Sequence, residues 1–311
     1  MSFSSFEFSL MMRLRRRRRL SGVGLLSRFF VQRYENATKP VRGKLHGFPA
    51  VLNPGNIYPF VVQDVHLFNA PLVELARQAF LAKGEGLCVV DVGAAFGDTV
   101  LLLKERCPQQ VAKFKCIEGD AEFCELLAAN TAQFDDVEIV QALLARQPIQ
   151  IRSLVKHHKG TASAVGEGYA TAVDLDSIAS LQGTEIDILK IDVDGFDGEV
   201  LAGARKILTF KKPPAVIFEW HPKLIEKTGN NALTAFEILQ ECGYQRYLWF
   251  NNSGHFSHFS DVCSQRVLTQ ERDYLAKIDI WDRDHYDVIA LPKDSRIDEK
   301  KLAALEYARN K

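Results

Sequence analysis

Two short runs hold the residue types and spacings that could bind and activate a ligand. The first is "CVVDVGAAFGDTVLL", residues 88–102, which reads as an apolar strand, an acidic glycine turn and a helix start. Asp91 falls at the strand end, and Gly93 and Gly97 let backbone amides approach a ligand with no Cβ in the way. Asp98 is placed as an N-cap, followed by Thr99. The G-x-x-x-G spacing differs from the G-x-G-x-x-G of dinucleotide sites, and no phosphate-loop Lys-Ser/Thr follows it. Phosphate is a poor guest, because Asp91 would repel it; a hydroxyl or a cationic group suits a carboxylate better. The second run, "CIEGD", ends a strand at Glu118, where an acid can accept both hydroxyls of a ribose.

These turns need a frame that brings strand ends together. Short apolar runs at 87–92, 114–119, 137–140, 186–193, 215–220, 244–250 and 286–292 read as strands. Helical spacing appears from Asn69 (a candidate cap) to about Gly84, and over 121–130, 200–208 and 233–242. Strands alternating with helices of this length predict an α/β fold with one doubly wound, mostly parallel sheet. A turn signal in "FNNSGHF" predicts a hairpin, and so an antiparallel carboxyl edge. The polar, small-residue stretch at 141–172 reads as a long loop. Ligands of such sheets sit beyond the carboxyl ends of the strands, where strand order reverses.

Lys plus Arg and Asp plus Glu both number 39 in 311 residues, so no overall field draws the chain to nucleic acid. The six cysteines lack CxxC or metal-finger spacing, which favours free thiols and a reducing compartment. No apolar run is long enough to span a bilayer.

The stretch "VDLDSI…IDILKIDVDGFDGEVLAGA", ending at Ala204, resembles the FkbM-type S-adenosylmethionine-dependent methyltransferases. The likeness takes in "VDVGAAFGDT", "IEGD", "VIFEWHP" and "YDVIALP", across roughly residues 85–292, and Lys-Ile-Asp-Val-acid-Gly-x-acid is its most specific part. The family turn usually reads Asp-Val-Gly-Ala-Asn, and Ala95 stands here in place of the Asn. Asp194 and Asp197 stand where the family usually has Glu.

The resemblance implies a class I, Rossmann-like methyltransferase sheet with an antiparallel last strand. It implies that S-adenosyl-L-methionine is held by Asp91, Gly93 and Gly97 at its methionine part, with Ala94 and Thr99 in the same turn. Glu118 and Gly119 would meet the ribose, and Gln141 and Ala142 would lie near the adenine. Asp192, at the end of the fourth strand, would lie next to the methyl group. A sugar hydroxyl is a poor nucleophile until deprotonated, so a base or metal is required. Asp192 is the first candidate base, followed by Asp194 and His221. Alternatively Asp192, Asp194 and Glu219 could hold a divalent cation such as Mg through oxygen ligands. Lys190 is left without a role, and His157, His158, His255 and His258 read as solvated loop residues.

The expected activity is O-methylation of a glycan or glycosylated small molecule in a cytoplasmic protein. A nicotinamide-dependent oxidoreductase and a catalytically silent scaffold are the alternatives. Residues 1–45 read as a basic, flexible extension, 46–295 as the methyltransferase domain and 296–311 as a charged tail. The arginines Arg13 and Arg15 to Arg19 allow three readings: a solvated arm, a peripheral anchor to anionic lipid, or an organellar presequence.

Overall fold

The computed structural model describes residues 3–17, 23–158, 161–261, 265–275 and 285–305. The chain begins with helices α1 (Ser5–Arg16) and α2 (Val23–Glu35), hairpin strands β1 (Val41–Leu45) and β2 (Phe48–Leu52), and helices α3 (Tyr58–Asp64) and α4 (Ala70–Lys83). Strand β3 (Leu87–Val92), helix α5 (Asp98–Arg106), strand β4 (Val111–Glu118), helix α6 (Ala121–Thr131) and strand β5 (Val137–Gln141) follow. Strands β6 (Leu143–Leu144), β7 (Ile149–His158) and β8 (Thr161–Val173) then precede β9 (Ile188–Ile191), α7 (Asp197–Ala202) and α8 (Arg205–Leu208). The remainder is β10 (Ala215–Trp220), α9 (Pro222–Lys227), α10 (Thr234–Glu241), β11 (Tyr244–Asn251), β12 (Phe256–Ser260), α11 (Gln265–Leu275), β13 (Tyr286–Pro292) and α12 (Glu299–Ala303).

Eight strands form the central sheet in the order β12-β11-β13-β10-β9-β3-β4-β5. The pairs β10·β9, β9·β3, β3·β4 and β4·β5 are parallel, while β13 runs antiparallel to β10 and to β11, and β12 antiparallel to β11. Every residue of β3 is buried, as expected of a strand covered on both faces. One face packs Leu75, Leu103 and Leu127 from α4, α5 and α6; the other packs Leu201, Phe236 and Leu239 from α7 and α10. The chain runs β3, β4, β5 outward and returns to β9 on the other side of β3. The order therefore reverses between β3 and β9, the expected place for a ligand.

The expected loop at 141–172 is instead the three-stranded sheet β6-β8-β7, with β7 and β8 as a long antiparallel hairpin. Its small and polar residues lack the strong apolar signal of the central strands, and hairpin pairing supplies the order that composition does not. Asn69 precedes α4 with φ 59° and makes no side-chain cap bond. At α5 the cap position falls on Gly97, and Asp98 is the first helical residue.

Both expected end segments join the packing. Phe8, Met11 and Tyr34 are buried against Val41, Leu52 and Phe60, in a cluster that reaches Phe96 and Leu101 of the main domain. Gly43 leaves the room that the Phe8 ring fills, since a Cβ there would come within 2.5 Å of it. Arg33 pairs with Glu7 at 2.7 Å, and Arg15 pairs with Asp64 at 2.6 Å while lying over the Phe60 ring. A boundary at residue 45 thus falls within the β1–β2 hairpin. In the carboxyl tail Leu302 is fully buried, and Glu299 pairs with Arg246. Among the described residues no helix is long and apolar enough to cross a membrane.

If α1 is part of the folded unit, Phe8→Ala should cost about 3 kcal/mol, the usual loss for a buried ring replaced by alanine. Urea unfolding followed by fluorescence checks this, and an unchanged midpoint would place α1 outside the cooperative core.

Candidate active site

A cavity of about 470 Å³ opens over the carboxyl ends of β3, β4 and β9. Gly93 forms its floor with φ +77°, and any Cβ at this position would sit 1.9 Å from the Asp192 carbonyl oxygen. Only glycine allows the β3 and β9 exits to pass this closely. Two residues on, Ala95 adopts φ 44°, a left-handed conformation that alanine enters only at a cost and asparagine more readily. Its amide donates to Glu118 Oε2 at 2.8 Å, and the Asp120 amide donates to Oε1 at 2.8 Å. The Glu118 carboxylate is therefore fixed from two sides at the cavity wall. Burial raises its pKa, against the lowering effect of these amides.

Beneath the cavity, Asp91 is fully buried and lies 3.1 Å from the Lys190 ammonium, which also reaches Asp192 at 3.4 Å. Burial opposes the charge on Lys190, but Asp91, Asp192 and Asp98 outweigh it and raise its pKa. Asp192 directly follows β9, two positions after Lys190, and continues the alternation so that the two project to the same side. Asp192 is half-exposed at the rim. Asp194 has φ 50° and precedes Gly195 at φ 89°, a reversed turn braced by Asn230 Nδ2, which donates to the Gly195 carbonyl at 3.0 Å.

Seven carboxylates line the cavity, with Lys190 the one lysine or arginine among the described lining residues. Burial, then Asp192, Glu219 and Glu118, push Asp194 up to about 8. Burial pushes Asp98 up to about 7, with Asp91 and Asp192 adding to it against Lys190. Asp287, beside the cavity, is likewise raised to about 7 by burial, opposed by His285. The surplus negative potential favours a positively charged ligand.

The expected residues divide into three groups. Gly93, Glu118, Gly119, Ala142, Asp192, Asp194 and Glu219 line the cavity. Asp91 lies behind it, acting through Lys190. Ala94, Gly97, Thr99, Gln141 and His221 lie outside the lining. Ala94 and Thr99 are buried in the fold, and a Cβ on Gly97 would meet Leu127 at 2.9 Å, so this glycine serves the packing of α5 on α6. Gln141 is exposed at the end of β5. His221 caps α9, accepting from the Leu224 amide at 3.3 Å, and stacks on His285 with ring centroids 5.2 Å apart.

His285 lines the cavity, buried, with Nε2 3.4 Å from Glu219 Oε2. It stands just before β13, where sequence offers no local signal. Tyr58 on α3 also lines the cavity, its hydroxyl 3.0 Å from His46 Nε2. Burial holds its pKa well above the ordinary tyrosine value. Of the remaining histidines, His258 stacks on Trp249 at 5.1 Å instead of standing free in a loop, and His255 is exposed. The side chains of His157 and His158 lie outside the described residues.

Among the described residues, no group of three or more His, Cys, Asp or Glu is placed to hold a metal ion. Asp192, Asp194 and Glu219 thus do not converge as the expected cation site; the Lys190 ammonium lies beside Asp192 instead.

Residues 91–246 match the Methyltransferase FkbM domain family, and the chain belongs to that family. No curated protein matches the sequence. A solved structure of methyltransferase FkbM from Methylobacillus flagellatus KT is 14% identical, with 75% of this chain and 53% of that one covered and a TM-score of 0.40. The chain thus spans about half the length of that protein. Precorrin-6y C5,15-methyltransferase from Geobacter metallireducens GS-15 is 12% identical over 72% of this chain and 88% of that one, with a TM-score of 0.38. M. jannaschii TYW2, solved in complex with AdoMet, is 14% identical over 81% and 84%, with a TM-score of 0.37.

Two outcomes are expected from this geometry. Ala95→Asn should raise stability by about 1 kcal/mol by relieving the left-handed alanine, which thermal unfolding would register as a higher midpoint; a lower midpoint would refute the strain. Asp194 is protonated in the folded protein up to about pH 8, whereas in the unfolded chain it ionises near the ordinary value of about 4. The unfolded state binds fewer protons in that window, so Asp194 makes stability fall as pH rises from about 4 to about 8. Asp194→Asn should flatten the decline by up to about 1.4 kcal/mol per pH unit. Urea titrations at several pH values check this, and identical slopes in both proteins would contradict it.

Proposed function

We propose that the chain is an S-adenosylmethionine-dependent O-methyltransferase acting on a hydroxyl of a glycan or glycosylated small molecule. The observation that carries the reading is the pairing of a pinned Glu118 with an acid-rich, lysine-centred rim in one cavity. Family membership supports the cofactor class.

The residues fit the cofactor's chemistry part by part. Glu118, held by two amides, presents its remaining lone pairs to the two ribose hydroxyls. Ile117, Phe123, Ala142 and Leu143 give an apolar slot suited to adenine. The carboxylates around Asp192 and Asp194 favour the sulfonium and ammonium charges. S-adenosylmethionine supplies an activated methyl group when bound. The chain's own task is then to hold the acceptor oxygen in line and take its proton.

For the proton, the cavity-lining His285 is the better base than His221, whose ring is used in capping α9. Glu219 orients the His285 ring and stabilises the imidazolium formed on proton transfer. Asp192, beside the Lys190 ammonium at the β9 end, orients the cationic end of the cofactor.

Glu118→Ala should weaken S-adenosylhomocysteine binding by ten- to a hundredfold, the range for a hydrogen bond to a charged group. Calorimetry measures this, and an unmoved titration would remove the ribose assignment. His285→Gln should keep that binding and lose most transfer of labelled methyl to hydroxyl-bearing glycans. Full turnover in this variant would shift the base to another group, and equal labelling of acceptors with every hydroxyl blocked would overturn O-methylation.

A further inference from the structure

The outward side of the α1–α2 pair plays no part in the cavity or the core. Residues 1–34 carry eight arginines and one acid, Glu7, whereas the rest of the chain has 38 acids against 31 basic residues. Two of those arginines turn inward, Arg15 to Asp64 and Arg33 to Glu7, and help fasten the helices to the fold. Arg13, Arg16 and Arg28 are exposed. On the same two helices Phe6, Leu25 and Phe29 stand 74%, 76% and 53% exposed. Leu25, Phe29 and Arg28 share one side of α2, opposite the buried Ser27 and Tyr34. Burial of the inward faces against β1, β2 and α3 fixes which residues point out.

We propose that this face docks on an anionic lipid surface. Exposed aromatic and aliphatic side chains next to arginines match the two layers of such a surface: apolar groups enter the acyl boundary, and guanidinium groups meet the headgroup charge. A nucleic acid would satisfy the arginines but leave Leu25 and Phe29 without apolar partners. Charge also sets the orientation. The acidic remainder of the molecule is repelled by the same surface, so the α1–α2 face approaches first. The inference is independent of the methyl-transfer reading, because it uses no residue of the cavity.

The test is co-sedimentation of the full chain with vesicles of phosphatidylcholine containing about a third phosphatidylserine, with pure phosphatidylcholine alongside. The protein should pellet with the anionic vesicles only, and be released at ~1 M salt, where the screening length shrinks to about 3 Å. Each arginine near such a surface is worth roughly fivefold in partitioning. Arg13→Gln, Arg16→Gln and Arg28→Gln combined should therefore lower binding about a hundredfold. Leu25→Asp with Phe29→Asp should lower it at least tenfold, since each large apolar side chain buried contributes about that much. All five side chains are exposed, so both variants should keep the wild-type thermal midpoint. No pelleting of the wild type, equal pelleting with neutral vesicles, or unchanged pelleting of either variant overturns the proposal. So does capture of a single-stranded oligonucleotide that depends on the arginines and not on Leu25 or Phe29, if it comes without vesicle binding.

Discussion

The ammonium of Lys190 buried among Asp91, Asp192 and Asp98 is the interaction on which the rest of the site depends. A buried charge costs several kcal/mol unless it is paired, and loss of one partner leaves the other uncompensated. Asp91 and Lys190 are register partners on the parallel strands β3 and β9, so the ion pair spans the point where strand order reverses. The two strands must then exit side by side, which places the Asp192 carbonyl against Gly93 and excludes a side chain there. The same contact sets the height of Asp192 at the rim and the start of the reversed turn through Asp194.

Around that pair the described cavity lining holds more carboxylates than Lys190 can neutralise. Protonation takes up part of the excess, since burial holds Asp98, Asp194 and the neighbouring Asp287 near or above neutral pH. An incoming cation would favour the ionised forms and draw those protons off. The site is thereby suited to a positively charged ligand without carrying a fully charged acid cluster when that ligand is away. Glu118 differs from the rim acids, because two backbone amides fix its position.

The amino-terminal helices change how the molecule's surface is divided. They brace α3, whose Tyr58 lines the cavity, and so add a wall that the sheet alone does not supply. Arg15 and Arg33 serve this packing, while the exposed Arg13, Arg16 and Arg28 give the outer face its charge. One short segment thus contains both core residues and exposed basic and apolar residues, sorted by helical position.

The sequence by itself determined the strands from 87 to 92 and 215 to 220, the alternation of helices and strands from 69 to 140, and the acids at the ends of β3, β4 and β9. These signals are local: apolar periodicity and turn residues act within a few positions of one another. Only the tertiary structure decided which groups meet. Lys190 had no assigned role until strand pairing set it between Asp91 and Asp192. His285 replaced His221 at the cavity because β13 inserts beside β10, and Tyr58 came from α3, a stretch whose residues carry no clear periodic signal. The arginine block hid the apolar positions Phe8 and Met11, whose partners lie on β1, β2 and α3, and the weak pattern over 141–172 hid β7 and β8. Contacts of this kind arise when distant segments close on one another, so no window of sequence contains them.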